Sequence, residues 1–169
     1  MGMPAVRDDP VTREDACAIL ESEFGVAGTD IYLLPLVPLI EMAWADGEPR
    51  TAELRLLYEF ALHHVAELDR EAEGLDVLTV DQVNAFLGRF VDKAPRTGQL
   101  RRLRMFSIPL IFDHSDPDVN ERRRTTLLSY CLDIGAAAVR QYPYGLHERF
   151  SSPEKALMLD LVEAFRPAD

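Results

Sequence analysis

Cysteine, tryptophan and positive charge are all scarce in this chain. Two cysteines and one tryptophan occur in 169 residues. Cys17 and Cys131 stand far apart in apolar surroundings, with no Cys-x-x-Cys or Cys/His spacing. That pattern argues against a disulfide framework and a thiolate zinc site, and it fits two buried thiols in a reducing cytosol. Lys and Arg total 18 against 29 Asp and Glu, a formal net charge of -11 with pI near 4.8. Such a surface repels phosphate backbones and anionic lipid, so nucleic acid is not an expected partner. Long apolar runs are missing too. The longest, Ile31 to Ala45, is about 15 residues and contains Glu41 and two prolines, short of the roughly 20 needed to span a bilayer. Met1 to Pro10 carries Asp8 and Asp9 without an apolar stretch, which does not read as a signal peptide. A cytoplasmic protein without membrane insertion is the expectation. Strand-like alternation is absent. So are a P-loop, a nucleophile elbow, a His-Glu-x-x-His pair and a dinucleotide fingerprint.

What is present is helical periodicity. Met1 to Val11 reads as a flexible lead-in. Thr12-Arg13-Glu14-Asp15 resembles a capping box, followed by Ala16, Ile19, Leu20 and Phe24 at helical spacing and a stop at Gly25. Thr29-Asp30 caps a second helix, with Pro35 and Pro38 predicting a late start or a kink. A third helix begins near Thr51 and carries Leu54, Leu57, Tyr58, Ala61, Val65 and Leu68 on one stripe before Gly74. Thr79 to Gln82 is a second box, opening a helix that lasts until Ala94-Pro95. A fifth helix is predicted over 97–112 with a bend at Pro109. Asp116 caps the sixth with Pro117 in its first position, and Tyr142-Pro143-Tyr144-Gly145 ends it. Ser151-Ser152-Pro153-Glu154 starts the seventh. The expectation is an all-α fold: one domain over residues 1–169, a compact bundle of about seven helices. Its two halves are weakly related. Ile40 to Leu57 reads helix, turn, Thr-x-Glu-Leu, helix, and Ile134 to Leu159 reads helix, longer turn, Ser-Pro-Glu-Lys, helix. Glu53 and Glu154 hold comparable places in the two.

The corner Ala45 to Glu53 concentrates charge and backbone instruction. Asp46-Gly47 is a turn signal, Glu48 lies inside the bend, and Glu53 opens the next helix. Hard cations take several oxygen ligands. Asp46-Gly47 followed by Glu53 matches the back half of an EF-hand loop, but Met42 and Trp44 stand where its front-half ligands belong, so an EF-hand is excluded. Asp46 and Glu53 are the candidate ligands for a divalent cation of the Ca²⁺ or Mg²⁺ class. Glu41, one helical turn before the bend, is added on geometric grounds. The competing account is a plain helix–helix turn in which Glu53 is held by the helix dipole.

At this corner the chain resembles the TerB-like (tellurite resistance) family. The resemblance rests on Ala43-Trp44-Ala45-Asp46-Gly47, the polar residues after it, and Thr51-Ala52-Glu53-Leu54. It is good over Leu33 to Leu68 and faint over Leu127 to Phe165. It implies an all-α domain with two related halves, an acidic and metal-binding surface at Asp46 and Glu53, a link to stress or toxic-anion resistance, and no catalysis. The second half departs from the acidic pattern, which argues against a site needing carboxylates from both halves.

Other groups are weighed beside it. Glu59, His63 and Glu67 share one helix face, which reads as a solvated face; His64 reads as partly buried and hydrogen-bonded. Asp113, Asp116 and Asp118 cluster at a helix start, where capping favours acids. Asp133, in an apolar run, needs a partner such as arginine. Arg101, Arg102 and Arg104, with Arg122, Arg123 and Arg124, form two basic clusters without interleaved aromatics, which suits pairing with acids or a partner protein better than nucleic acid. The expected function is a non-enzymatic module binding a divalent cation or a partner protein through the acidic turn. The alternatives are a metal-dependent enzyme using Glu59, His63 or Asp133 with the turn carboxylates, and a structural adaptor.

Overall fold

The caps determine where the helices of this computed structural model begin. It describes residues 11–137, 140–141, 147–148 and 150–167. Thr12 caps α1 (Arg13–Phe24) by accepting the Asp15 amide, and Gly25 closes it at φ 64°. Thr79 and Gln82 form a reciprocal box at the head of α4 (Val80–Val91). Ser151 and Glu154 do the same for α7 (Ser152–Ala164). Between them lie α2 (Val37–Trp44), α3 (Thr51–Glu71), α5 (Gln99–Ile111) and α6 (Pro117–Ala137). The fold is all-α. Residues Arg140–Gln141 and His147–Glu148 add a two-residue antiparallel pairing between α6 and α7. The expected flexible lead-in up to Pro10 and the expected terminator Tyr142 to Gly145 lie outside the described residues.

Two boundaries differ from the sequence reading, each for a backbone reason. The second helix is not one α-helix with a kink. Gly28–Leu36 forms a 3-10 helix that passes into α2 at Val37. Pro35 and Pro38 remove two amide donors; the chain winds tighter until Pro38 falls in the first turn of α2, where an amide has no intrahelical partner. The fifth helix starts at Gln99 rather than Thr97, because Gly98 takes the left-handed conformation at φ 77° and serves as its N-cap.

The helix α2 is the axis of the molecule. All of Val37 to Ala43 is buried, Glu41 included. It packs against α3, α5, α6, α7 and the 3-10 helix, while α1 lies on α5 and α7 on α6. Burying a side chain the size of Leu, Ile or Met contributes about 1.5–3 kcal/mol, so this short helix is held by its surroundings rather than by its own hydrogen bonds. The core runs continuously from Ala16 and Leu20 through Leu39, Ile40 and Met42 to Leu161 and Phe165. Gly135 on α6 lies close to Phe150. A β-carbon there would stand 2.5 Å from Phe150 Cε1, so only glycine lets α6 meet that ring. Cys131, one turn earlier, is fully buried, and Cys17 half-buried. Among the described residues no single helix is long and apolar enough to cross a membrane.

Candidate functional site

The corner between α2 and α3 is fixed at both ends. The Trp44 indole donates to the Phe90 carbonyl at 2.9 Å, anchoring the end of α2 on α4. The Gly47 amide donates back to the Trp44 carbonyl at 2.9 Å, and Gly47 itself has φ 108°. A side chain would be strained at that angle, so glycine lets the chain reverse directly after Asp46. Arg50 then occupies the N-cap position of α3. Its backbone amide donates to Glu53 Oε2 at 2.7 Å. An arginine side chain has no acceptor, so this is one half of a capping box, the half that Glu53 supplies. The Arg50 guanidinium reaches back to Asp46 at 3.3 Å; its side chain is 41% exposed and that of Asp46 only 5%.

The start of α7 repeats the arrangement with the complete box. Ser151 accepts the Glu154 amide and Glu154 Oε2 accepts the Ser151 amide at 2.8 Å. Glu53 and Glu154 are thus both the third residue of a helix, each turned back over its own N-terminus. The fold points these two helix starts at each other. Asp46, Glu53 and Glu154 each offer an oxygen, and the three oxygens lie within 4.8 Å of one another. Glu53 and Glu154 are buried, at 0% and 1% exposure. Glu53 Oε1 is a buried oxygen with no hydrogen-bond partner among the described residues.

The electrostatics follow from that crowding. Burial pushes the Glu53 carboxyl up to about 7, with the charges of Asp46 and Glu154 adding to the effect and the Arg50 amide and guanidinium opposing it. Burial also raises Glu154, reinforced by Asp46 and opposed by its bond to Ser151. A carboxylate resists losing its proton where water is scarce and like charges are near. A cation relieves the same cost. Among the described residues the donors are all carboxylate oxygens, a set that favours Mg²⁺, Ca²⁺ or Mn²⁺ over softer ions. A Ca²⁺–oxygen bond is about 2.4 Å long, so oxygens up to roughly twice that distance apart can share one ion.

The sequence-derived candidates divide. Asp46 and Glu53 come together as expected. Glu41 does not join them. Its carboxylate lies 2.7 Å from Arg104 Nε, and Arg104 Nη2 also reaches Asp160 at 2.7 Å. Burial pushes the Glu41 carboxyl up while Arg104 pulls it down. Glu154, from the second half, takes the place that Glu41 was expected to fill, which corrects the expectation that the second half would add no carboxylate. Its signal in the sequence was the Ser151-x-x-Glu154 box matching Glu53; what was missing was the contact between the two helix starts. Glu59, His63, Glu67 and Asp133 are exposed and do not belong to the cluster. His64 Nε2 donates at 2.6 Å to the Tyr32 carbonyl and the ring stacks on Phe60, as a partly buried histidine should. Asp113 pairs with Arg13, and Asp116 accepts the Asp118 amide at the head of α6. Members of the arginine clusters find local partners: Arg102 pairs with Glu23 at the surface, Arg124 with Glu121, and Arg123 donates to the Ile111 carbonyl. An open groove of about 530 Å³ beside Arg101, Leu157 and Asp160 includes none of the three clustered acids.

Comparison of the chain with protein-family models, with curated proteins and with solved structures returned no match.

Proposed function

We propose that this chain is a TerB-like, non-enzymatic helical module that binds a hard divalent cation through Asp46, Glu53 and Glu154. One observation carries the reading: three carboxylates from separate helix starts and turns lie within 4.8 Å, and the buried Glu53 Oε1 among them lacks a hydrogen-bond partner among the described residues. Buried charges are paired or coordinate metals. The Arg50 guanidinium stands 3.3 Å from Asp46, its side chain 41% exposed. The resemblance over Ala43 to Leu54 supports the same corner as the site and links the module to stress or toxic-anion resistance. The exposed positions of Glu59, His63 and Asp133 speak against a catalytic centre built with them. The reach of Arg50 to Asp46 supports a second reading, in which a partner protein presents its own cationic side chain to this corner.

Calorimetric titration with Ca²⁺, Mg²⁺, Mn²⁺ and Zn²⁺ tests the cation reading. Binding tighter than about millimolar, lost in Asp46→Asn/Glu53→Gln and in Glu154→Gln, is the expected result. No binding, or equal binding by those variants, removes it.

A further inference from the structure

The three acids come from two ends of the chain. Asp46 and Glu53 belong to the α2–α3 corner, and Glu154 to the first turn of the last helix, about 100 residues later. The rest of α7 is held by Met158, Leu161 and Phe165 in the core, with Leu157 and Ala164 packed beside them and Asp160 paired to the buried Arg104, while Leu159 and Val162 face outward. Phe165 packs edge-on against Phe112 at the far end of the helix. At the near end, Glu154 comes within 4.8 Å of Asp46 and Glu53, with the Arg50 guanidinium against Asp46. The candidate ligand set is therefore divided between the corner and α7. A cation held by all three acids would bond the helix to the corner.

We propose that cation occupancy controls how firmly α7 is docked, so that the site works as a latch on the last helix. This rests on the cation reading above and adds a consequence to it. Lifting α7 removes Glu154 from the ligand set and uncovers the apolar residues under Leu161 and Phe165. Filling the site opposes that opening. A ligand that binds only the closed form lowers the opening equilibrium by the factor 1 + [L]/Kd. Asp46 and Glu53 retain some affinity in the open form, so that factor is the upper limit of the effect.

Hydrogen exchange on the full chain reads this out. Exchange in α7 (Ser152–Ala164) is compared with that in α4 (Val80–Val91), with chelator and with Ca²⁺ or Mn²⁺, the ion chosen by calorimetry. At about 100 times Kd the α7 amides should slow by up to roughly 100-fold, with α4 unchanged. In Glu154→Gln the slowing should vanish. Asp46→Asn, which leaves the α7 cap intact, should reduce it. Binding seen by calorimetry with α7 exchange unaltered would overturn the latch and leave the cation reading standing. Uniform slowing of α4 and α7 would overturn it equally, because the ion would then stabilise the whole fold. Absence of binding in calorimetry removes both.

Discussion

Two groups of buried acids lie within this one small fold, and they are handled differently. At the centre of α2, Glu41 is buried with Arg104, which is 4% exposed and extends to Asp160. At the α2–α3 corner, Glu53 and Glu154 are buried beside Asp46, with the half-exposed Arg50 guanidinium 3.3 Å from Asp46. The first group carries its counter-charge within the core and is closed. The second has three acids crowded together with a counter-charge at its edge. A buried carboxylate accompanied by its own arginine is a structural element; carboxylates crowded together resist ionising and gain from a shared proton or cation.

The sharpest way to break this contrast is to remove the internal cation. Arg104→Ala should destabilise by about 3–5 kcal/mol, because Glu41 is left charged and unpaired in the core. Urea unfolding measures it. Replacing Glu41 and Arg104 together by methionine should recover most of that loss, and a double variant as unstable as Arg104→Ala would mean that the ion pair does more than neutralise itself. At the corner the sign should reverse. Glu53→Gln removes a crowded charge while keeping an acceptor for the Arg50 amide. Stability in chelator at neutral pH should stay level or rise by about 1 kcal/mol, with cation binding lost.

The pH dependence separates the two groups further. Glu53 titrates at 4.5 when unfolded and at about 7 in the fold. Between those values the native chain holds a proton that the unfolded chain has released. Stability from this group is therefore fully present below about 4.5 and declines as pH rises to about 7. Glu154 shifts in the same direction, and Asp46 and Arg50 are the charges facing both. In chelator, unfolding midpoints should fall across that interval. Divalent cation at pH 7 should restore them, and Glu53→Gln should flatten the curve. A midpoint that rises over the same interval would contradict the raised carboxyl.

The smallest effect concerns Arg50. Its contact with Asp46 is half-exposed at 3.3 Å, and such pairs contribute about 0.2–1 kcal/mol. A metal ion must share Asp46 with it. Arg50→Gln should tighten cation affinity a few-fold by calorimetry, and weakened affinity would make Arg50 a support of the site rather than its competitor.

Much of the fold could be read from local chemistry. Thr12, Thr79, Asp116 and Ser151 are caps whose reach is three residues or fewer, and each helix begins beside its cap. Pro35 and Pro38 announced an irregular segment without saying that it would be 3-10. At the site, Asp46 and Glu53 were legible because the turn joins them. Glu41 was placed by its nearness in sequence to the bend, but α2 ends at Trp44 and the Glu41 side chain meets Arg104 on α5 instead. Glu154 shared the position of Glu53 in its own helix, but its meeting with the corner depends on how α6 and α7 pack against α2. No spacing in the chain encodes that contact.

Cys131 lies fully buried on α6, one turn before the glycine that admits Phe150. Burial and the nearby Glu41 carboxylate push its thiol far above the ordinary range. A thiol reagent reacts with thiolate that it can reach, so in the native state it meets Cys17 first. Modification of the second cysteine then records each occasion on which the centre of the molecule comes apart, and its rate, with and without metal, clocks the opening of the core from a label that the protein already carries.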